Sequence, residues 1–139
     1  MAVLRRFAPI AFLLAATFAG SAQADEPALR IELNRADPRD TACQLVFVAQ
    51  NGTEQGLDQL VLEMVLFDRA GGVAALTLLD FQDLPAGRMR VRSFDMPGLE
   101  CDGLGRVLVN ATASCAPLGA PGCAALELAS RVDGIEVLQ

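Results

Sequence analysis

Apolar and polar residues alternate in short runs along most of the chain, with turn formers between the runs, and that two-residue period predicts strands rather than helices. Leu29, Ile31 and Leu33 alternate with Arg30, Glu32 and Asn34, giving a first strand over 29–35 that the following "ADPRD" ends. Cys43, Leu45, Phe47 and Ala49 share one face of a second, over 43–51, closed by the turn formers of "NGTEQG". The stretch Leu57–Asp68 fits two periods. Leu57, Leu60, Val61, Met64 and Val65 also make a helical stripe, but the β-branched residues, Phe67 and the Asp68–Gly72 turn favour a strand. Further strands follow over 73–81, 87–95, 105–113 and 123–132. Pro85 and Gly87 turn the chain before the fifth. The expected fold is all-β, a seven-stranded antiparallel sandwich.

The first 24 residues, "MAVLRRFAPIAFLLAATFAGSAQA", break this pattern. Arg5 and Arg6 precede an apolar run from Phe7 to about Phe18, and small residues end at Ala24, the layout of a secretory signal cleaved after Ala24. The arginine pair also admits a twin-arginine reading, although the polar residues that usually surround such a pair are missing. The apolar run falls short of the roughly 20 residues that span a bilayer. Residues 25–139 then form one domain, exported to the periplasm or secreted, with no transmembrane segment.

In that compartment four cysteines read as disulfides. With strands running alternately up and down, Cys43 and Cys101 reach the same end of the sandwich, whereas Cys115 and Cys123 bracket the last hairpin. The favoured connectivity is Cys43–Cys101 with Cys115–Cys123. Pairing Cys101 with Cys115 instead would have to bridge a strand of roughly 20 Å.

Composition narrows the chemistry. All eleven basic residues are arginine, and the exported part sets nine of them against seventeen Asp and Glu, a balance of −8. Nucleic acid and anionic lipid are therefore not expected partners. The chain has no His, Tyr or Trp and no Lys, which removes Ser-His-Asp, Cys-His, Ser-Lys and Schiff-base catalysis and leaves only carboxylate pairs for acid–base work. No enzyme activity, cofactor or metal is expected. Asp80 with Asp83, and Asp37 with Asp40, lack the spacing of a calcium loop. Asn51-Gly-Thr53 and Asn110-Ala-Thr112 match glycosylation acceptors but read more simply as turn and strand residues, as do the glycines of "FDRAGG" and "DGLGR".

The stretch "LPAGRMRVRSFD" holds the main candidate site. Arg88, Arg90 and Arg92 lie two apart, so a strand puts them on one face, with Met89, Val91 and Ser93 on the other. The expectation is that the latter face packs inward while the arginines are solvated and pair with Glu63, Asp80 or Asp83. The alternative is a guanidinium ladder that binds a small anionic ligand.

The run "VLFDRAGGVAALTLLDFQDLPAGRMRVRSF" resembles the FxLYD-type domains of exported bacterial proteins, and the chain is similar to small exported alphaproteobacterial proteins sharing the Leu-Pro-Ala-Gly-Arg core and cysteines. That resemblance implies an immunoglobulin-like sandwich and no activity. The function expected is a non-catalytic binding or accessory module, with a sheet face or edge that recognises another envelope protein.

Overall fold

In a computed structural model, which describes residues 28–139, the chain forms two stacked four-stranded sheets. The strands are β1 (Leu29–Arg39), β2 (Ala42–Asn51), β3 (Leu57–Asp68), β4 (Val73–Leu84), β5 (Met89–Pro97), β6 (Leu104–Ala116), β7 (Leu126–Ser130) and β8 (Glu136–Leu138). One sheet has the order β5-β2-β1-β7 and the other β4-β3-β6-β8, with β4 over β5 at one margin and β7 over β8 at the opposite one. The signal-peptide reading lies outside the described residues. Among these, no helix is long and apolar enough to cross a membrane.

The core follows from the alternation. Leu29, Ile31 and Leu33 of β1, Leu45, Phe47 and Ala49 of β2, and Leu60, Leu62, Met64 and Leu66 of β3 are buried between the sheets. Phe47, Phe81 and Phe94 meet edge to face with centroids 5.2–6.1 Å apart, joining β2 and β5 of one sheet to β4 of the other. Such pairs add about 0.5–1.5 kcal/mol each beyond the area they bury.

The segment 57–68 is a strand. It is central in its sheet, and Val65 on its outer face is buried along with the inward Met64 and Leu66, which blurs the two-residue period and mimics a helical stripe. Four expectations need correction. The first strand does not end at "ADPRD": a bulge between Leu33 and Arg35 shifts its phase and pairing with β2 continues to Arg39. Beyond Leu33 only β2 borders this strand, so Pro38 lies on an open edge, where its missing N–H costs no ladder bond. The last expected strand, 123–132, is divided: Pro121–Ala124 is a helical turn, α1, with Pro121 at its start, and β7 begins at Leu126. After Ser130 the chain crosses to the other sheet and adds an eighth strand, β8. The sandwich is also not purely antiparallel, since β7 runs parallel to β1 and β8 parallel to β6.

Two disulfides hold this frame. Cys43, buried on β2, joins Cys101 in a 3-10 turn just before β6, tying the sheets together at one end. Cys115 near the end of β6 joins Cys123 in α1 and closes the short connection.

Candidate functional site

Strand β5 pairs Arg92 with Phe47, Arg90 with Ala49, Phe94 with Leu45 and Met96 with Cys43. Directly paired residues share a face. Phe47, Ala49, Leu45 and Cys43 are all buried between the sheets, so Arg90 and Arg92 lie on the inner face of their sheet. This reverses the expectation. Met89, Val91 and Ser93 face solvent, with Met89 55% and Val91 56% exposed, while the Arg92 side chain is only 17% exposed. The reason is the position of β5 at the sandwich margin, where a long aliphatic stem can be buried while the guanidinium turns sideways to polar atoms.

Those atoms belong to the edge of the opposite sheet. Arg92 Nε donates to the Phe81 carbonyl at 2.7 Å, and its Nη2 reaches the Asp83 carbonyl at 3.1 Å and the Asp83 carboxylate at 3.3 Å. Arg90 Nη2 stands 3.6 Å from the same carboxylate. Between the two accepting carbonyls lies Gln82, which takes a left-handed backbone (φ +59°), with its N–H held by the Asp80 carboxylate at 2.8 Å. The arginines therefore clasp one sheet to the other. Arg88 takes no part: it is exposed in the turn before β5, its N–H donating to Pro85 O and its carbonyl accepting from Asn51 N. Of the acids expected to pair with the arginines, Asp83 does so, whereas Glu63 accepts from Asn110 and Asp80 from Gln82 and Gln59.

The outward face of the same sheet presents a different surface. Val46, Val48, Met89 and Val91 form an apolar centre across β2 and β5. Beside it on β1 lies a charged network built on Glu32, which accepts from Arg131 Nε at 2.7 Å, Asn34 Nδ2 at 3.2 Å and Arg30 Nη2 at 3.3 Å. Burial pushes the Glu32 pKa up, but these hydrogen bonds and the positive charge of Arg131 outweigh it and leave the carboxyl below its usual value. Arg30, Glu32, Val48, Gln50, Met89 and Arg131 together line a hollow of about 350 Å3 on this face. No spacing rule marks this surface in the sequence, since its members come from four separate segments.

The remaining candidates serve structure. Asn51 is buried; its Nδ2 donates to the carbonyls of Gln55 and Leu84, and its Oδ1 accepts from the N–H and hydroxyl of Thr53. Asp37 pairs with Arg35 at 2.8 Å. Asp68 accepts from Gly72 N within the "FDRAGG" turn. Among the described residues, no three His, Cys, Asp or Glu side chains come together as metal ligands.

No family model and no curated protein matches this chain. Among solved structures, that of IrmA from Escherichia coli is similar, with a TM-score of 0.52 and 13% identity over 65% of this chain and 76% of that one. At this identity the likeness is one of fold.

Proposed function

We propose that this chain is an exported, non-catalytic binding module, immunoglobulin-like and related to FxLYD-type domains, which recognises a protein of the cell envelope through the outer face of the β5-β2-β1-β7 sheet. The observation that carries this reading is the pairing of exposed Met89 and Val91 with a flanking network of Arg30, Glu32 and Arg131. An apolar centre bordered by charged groups is the usual anatomy of a protein interface. The two disulfides and the signal-like first 24 residues support an oxidising compartment outside the cytoplasm. The lack of His and Lys supports a role without catalysis. The alternative, an anionic small ligand on Arg88, Arg90 and Arg92, has less support, because Arg90 and Arg92 are already engaged with Asp83.

Crosslinking and affinity capture from the native envelope tests the reading. A reproducible protein partner that is lost with Met89→Glu/Val91→Glu and kept with Arg88→Gln is the expected result. Loss with Arg88→Gln alone would favour the anion-binding alternative. Recovery of a mature form beginning at Asp25 is the expected result for export with cleavage after Ala24.

A further inference from the structure

Natural sandwiches protect the edges of their sheets, because an unpaired row of N–H and C=O groups is a template for another strand. Three of the four edges here are protected. β7 and β8 are five and three residues long. β5 carries Arg90, Arg92 and Asp95 and ends in Pro97. The fourth edge, β4, is twelve residues long, and its protection is partial: Arg92 occupies the carbonyls of Phe81 and Asp83 only. The preceding run, Val73–Leu79, contains no charge and no proline, and Leu76 and Leu78 on its outer face are 62% and 58% exposed.

We propose that this open edge pairs with the same edge of a second copy, antiparallel about a two-fold axis at Thr77. That register sets Leu76 of each chain opposite Leu78 of the other, so that four half-exposed leucines cover one another. It also solves the charge problem of joining two acidic chains, each of net charge −6 before processing. Asp80 falls opposite Ala74, and Asp83 lies beyond the paired run, so no carboxylate on β4 faces another across the seam. An isologous contact of this kind closes on itself and leaves neither β4 edge open.

The outer surface continues across such a seam. Leu138, Leu108, Val65 and Leu76 are successive cross-strand partners over β8, β6, β3 and β4, and Leu78 of the second copy extends that row. The irregular pairing near Val73 and the Arg92 hydrogen bond on the Phe81 carbonyl bound the free part of the edge, so the paired segment about Thr77 covers residues 74–80. This contact uses the sheet opposite to the one assigned to partner recognition, so either can fail without the other.

Sedimentation of the purified, oxidised protein across roughly 1 to 200 µM tests the pairing. The expected result is a monomer–dimer equilibrium that L76K/L78K weakens at least ~10-fold, because like charges then meet at the seam. Both positions are more than half exposed, and an unchanged circular dichroism spectrum establishes that the variant is folded. Mixing L76K/L78K with L76E/L78E is expected to restore the dimer, since the introduced lysines of one chain lie opposite the introduced glutamates of the other. A protein that stays monomeric, including one whose β4 edge takes up a strand from a different protein, overturns the proposal. So does a dimer indifferent to L76K/L78K, or a failure of the mixed pair to associate.

Discussion

Arg92 on β5 donates from Nε to the main-chain carbonyl of Phe81 on β4 at 2.7 Å, while the ring of Phe81 packs between Phe47 and Phe94 beneath it. One residue of β4 thus meets the other sheet twice, through its side chain in the core and through its carbonyl at the margin. Hydrogen bonds to a charged group contribute about 1.5–3 kcal/mol, whereas an ion pair with a carboxylate as exposed as that of Asp83 contributes about 0–1 kcal/mol. Replacing Arg92 by Gln is therefore expected to cost about 2–3 kcal/mol in urea unfolding, with Asp83→Asn well below that and Arg88→Gln within about 0.5 kcal/mol of the parent. Equal losses at Arg88 and Arg92 would contradict the clasp.

This arrangement marks where the sequence is legible and where it is not. The faces of β1 and β2 can be read because Leu29, Ile31 and Leu33, and then Leu45, Phe47 and Ala49, repeat without interruption beside polar neighbours. On β5 the same rule misassigns the faces, because arginine counts as polar although most of its length is hydrocarbon. The correcting signal lies two and four residues further on: Phe94 and Met96 are in phase with Arg90 and Arg92, and a strand has only two faces. The strand β8 is too short to display any period, and its place beside β6 depends on a chain crossing that local sequence does not encode. The outer-face candidate surface is likewise tertiary, since pairing brings β1, β2, β5 and Arg131 together.

Asn51 links the β2–β3 loop to the end of β4 through the carbonyls of Gln55 and Leu84. Its side chain is buried and fully hydrogen-bonded, so Asn51→Ala leaves several polar groups without partners. The expected loss is about 2–4 kcal/mol of unfolding free energy, against roughly 1 kcal/mol for Thr53→Ser, which keeps the hydroxyl. The same burial excludes a glycan on folded Asn51, and mass spectrometry of the protein expressed in a glycosylating host is expected to find this position unmodified.

Glu32 makes stability depend on pH in a predictable direction. Its folded pKa lies below the usual 4.5, so its contribution is present above that value and is lost as pH falls through the folded pKa. Denaturation from pH 6 downward is expected to show a steeper decline for the parent than for Glu32→Gln, in which the titration is absent. Arg131→Gln removes both a donor and the nearby positive charge, and is expected to make the decline shallower without abolishing it. Parallel curves for parent and Glu32→Gln would mean that the network does not hold the carboxylate.

The two disulfides close loops of very different length, with sequence separations of 58 and 8 residues. If their main action is to restrict the unfolded chain, the long one contributes about 4 kcal/mol and the short one between about 2 and 3 kcal/mol. Packing reinforces that order, because Cys43 is buried in the core while Cys123 lies in the half-exposed α1 connection. Replacing Cys43 and Cys101 together by Ala is thus expected to lower the thermal midpoint more than replacing Cys115 and Cys123. The first pair also joins the two sheets, so its loss frees the 3-10 turn at Cys101–Gly103 from β2, whereas loss of the second frees only the connection from β6 to β7. Hydrogen exchange separates these cases: faster exchange at the start of β6 is expected for the first variant, and faster exchange confined to residues 117–125 for the second. The reverse order of midpoints would show that native packing around Cys115–Cys123, rather than loop length, governs what each bridge contributes.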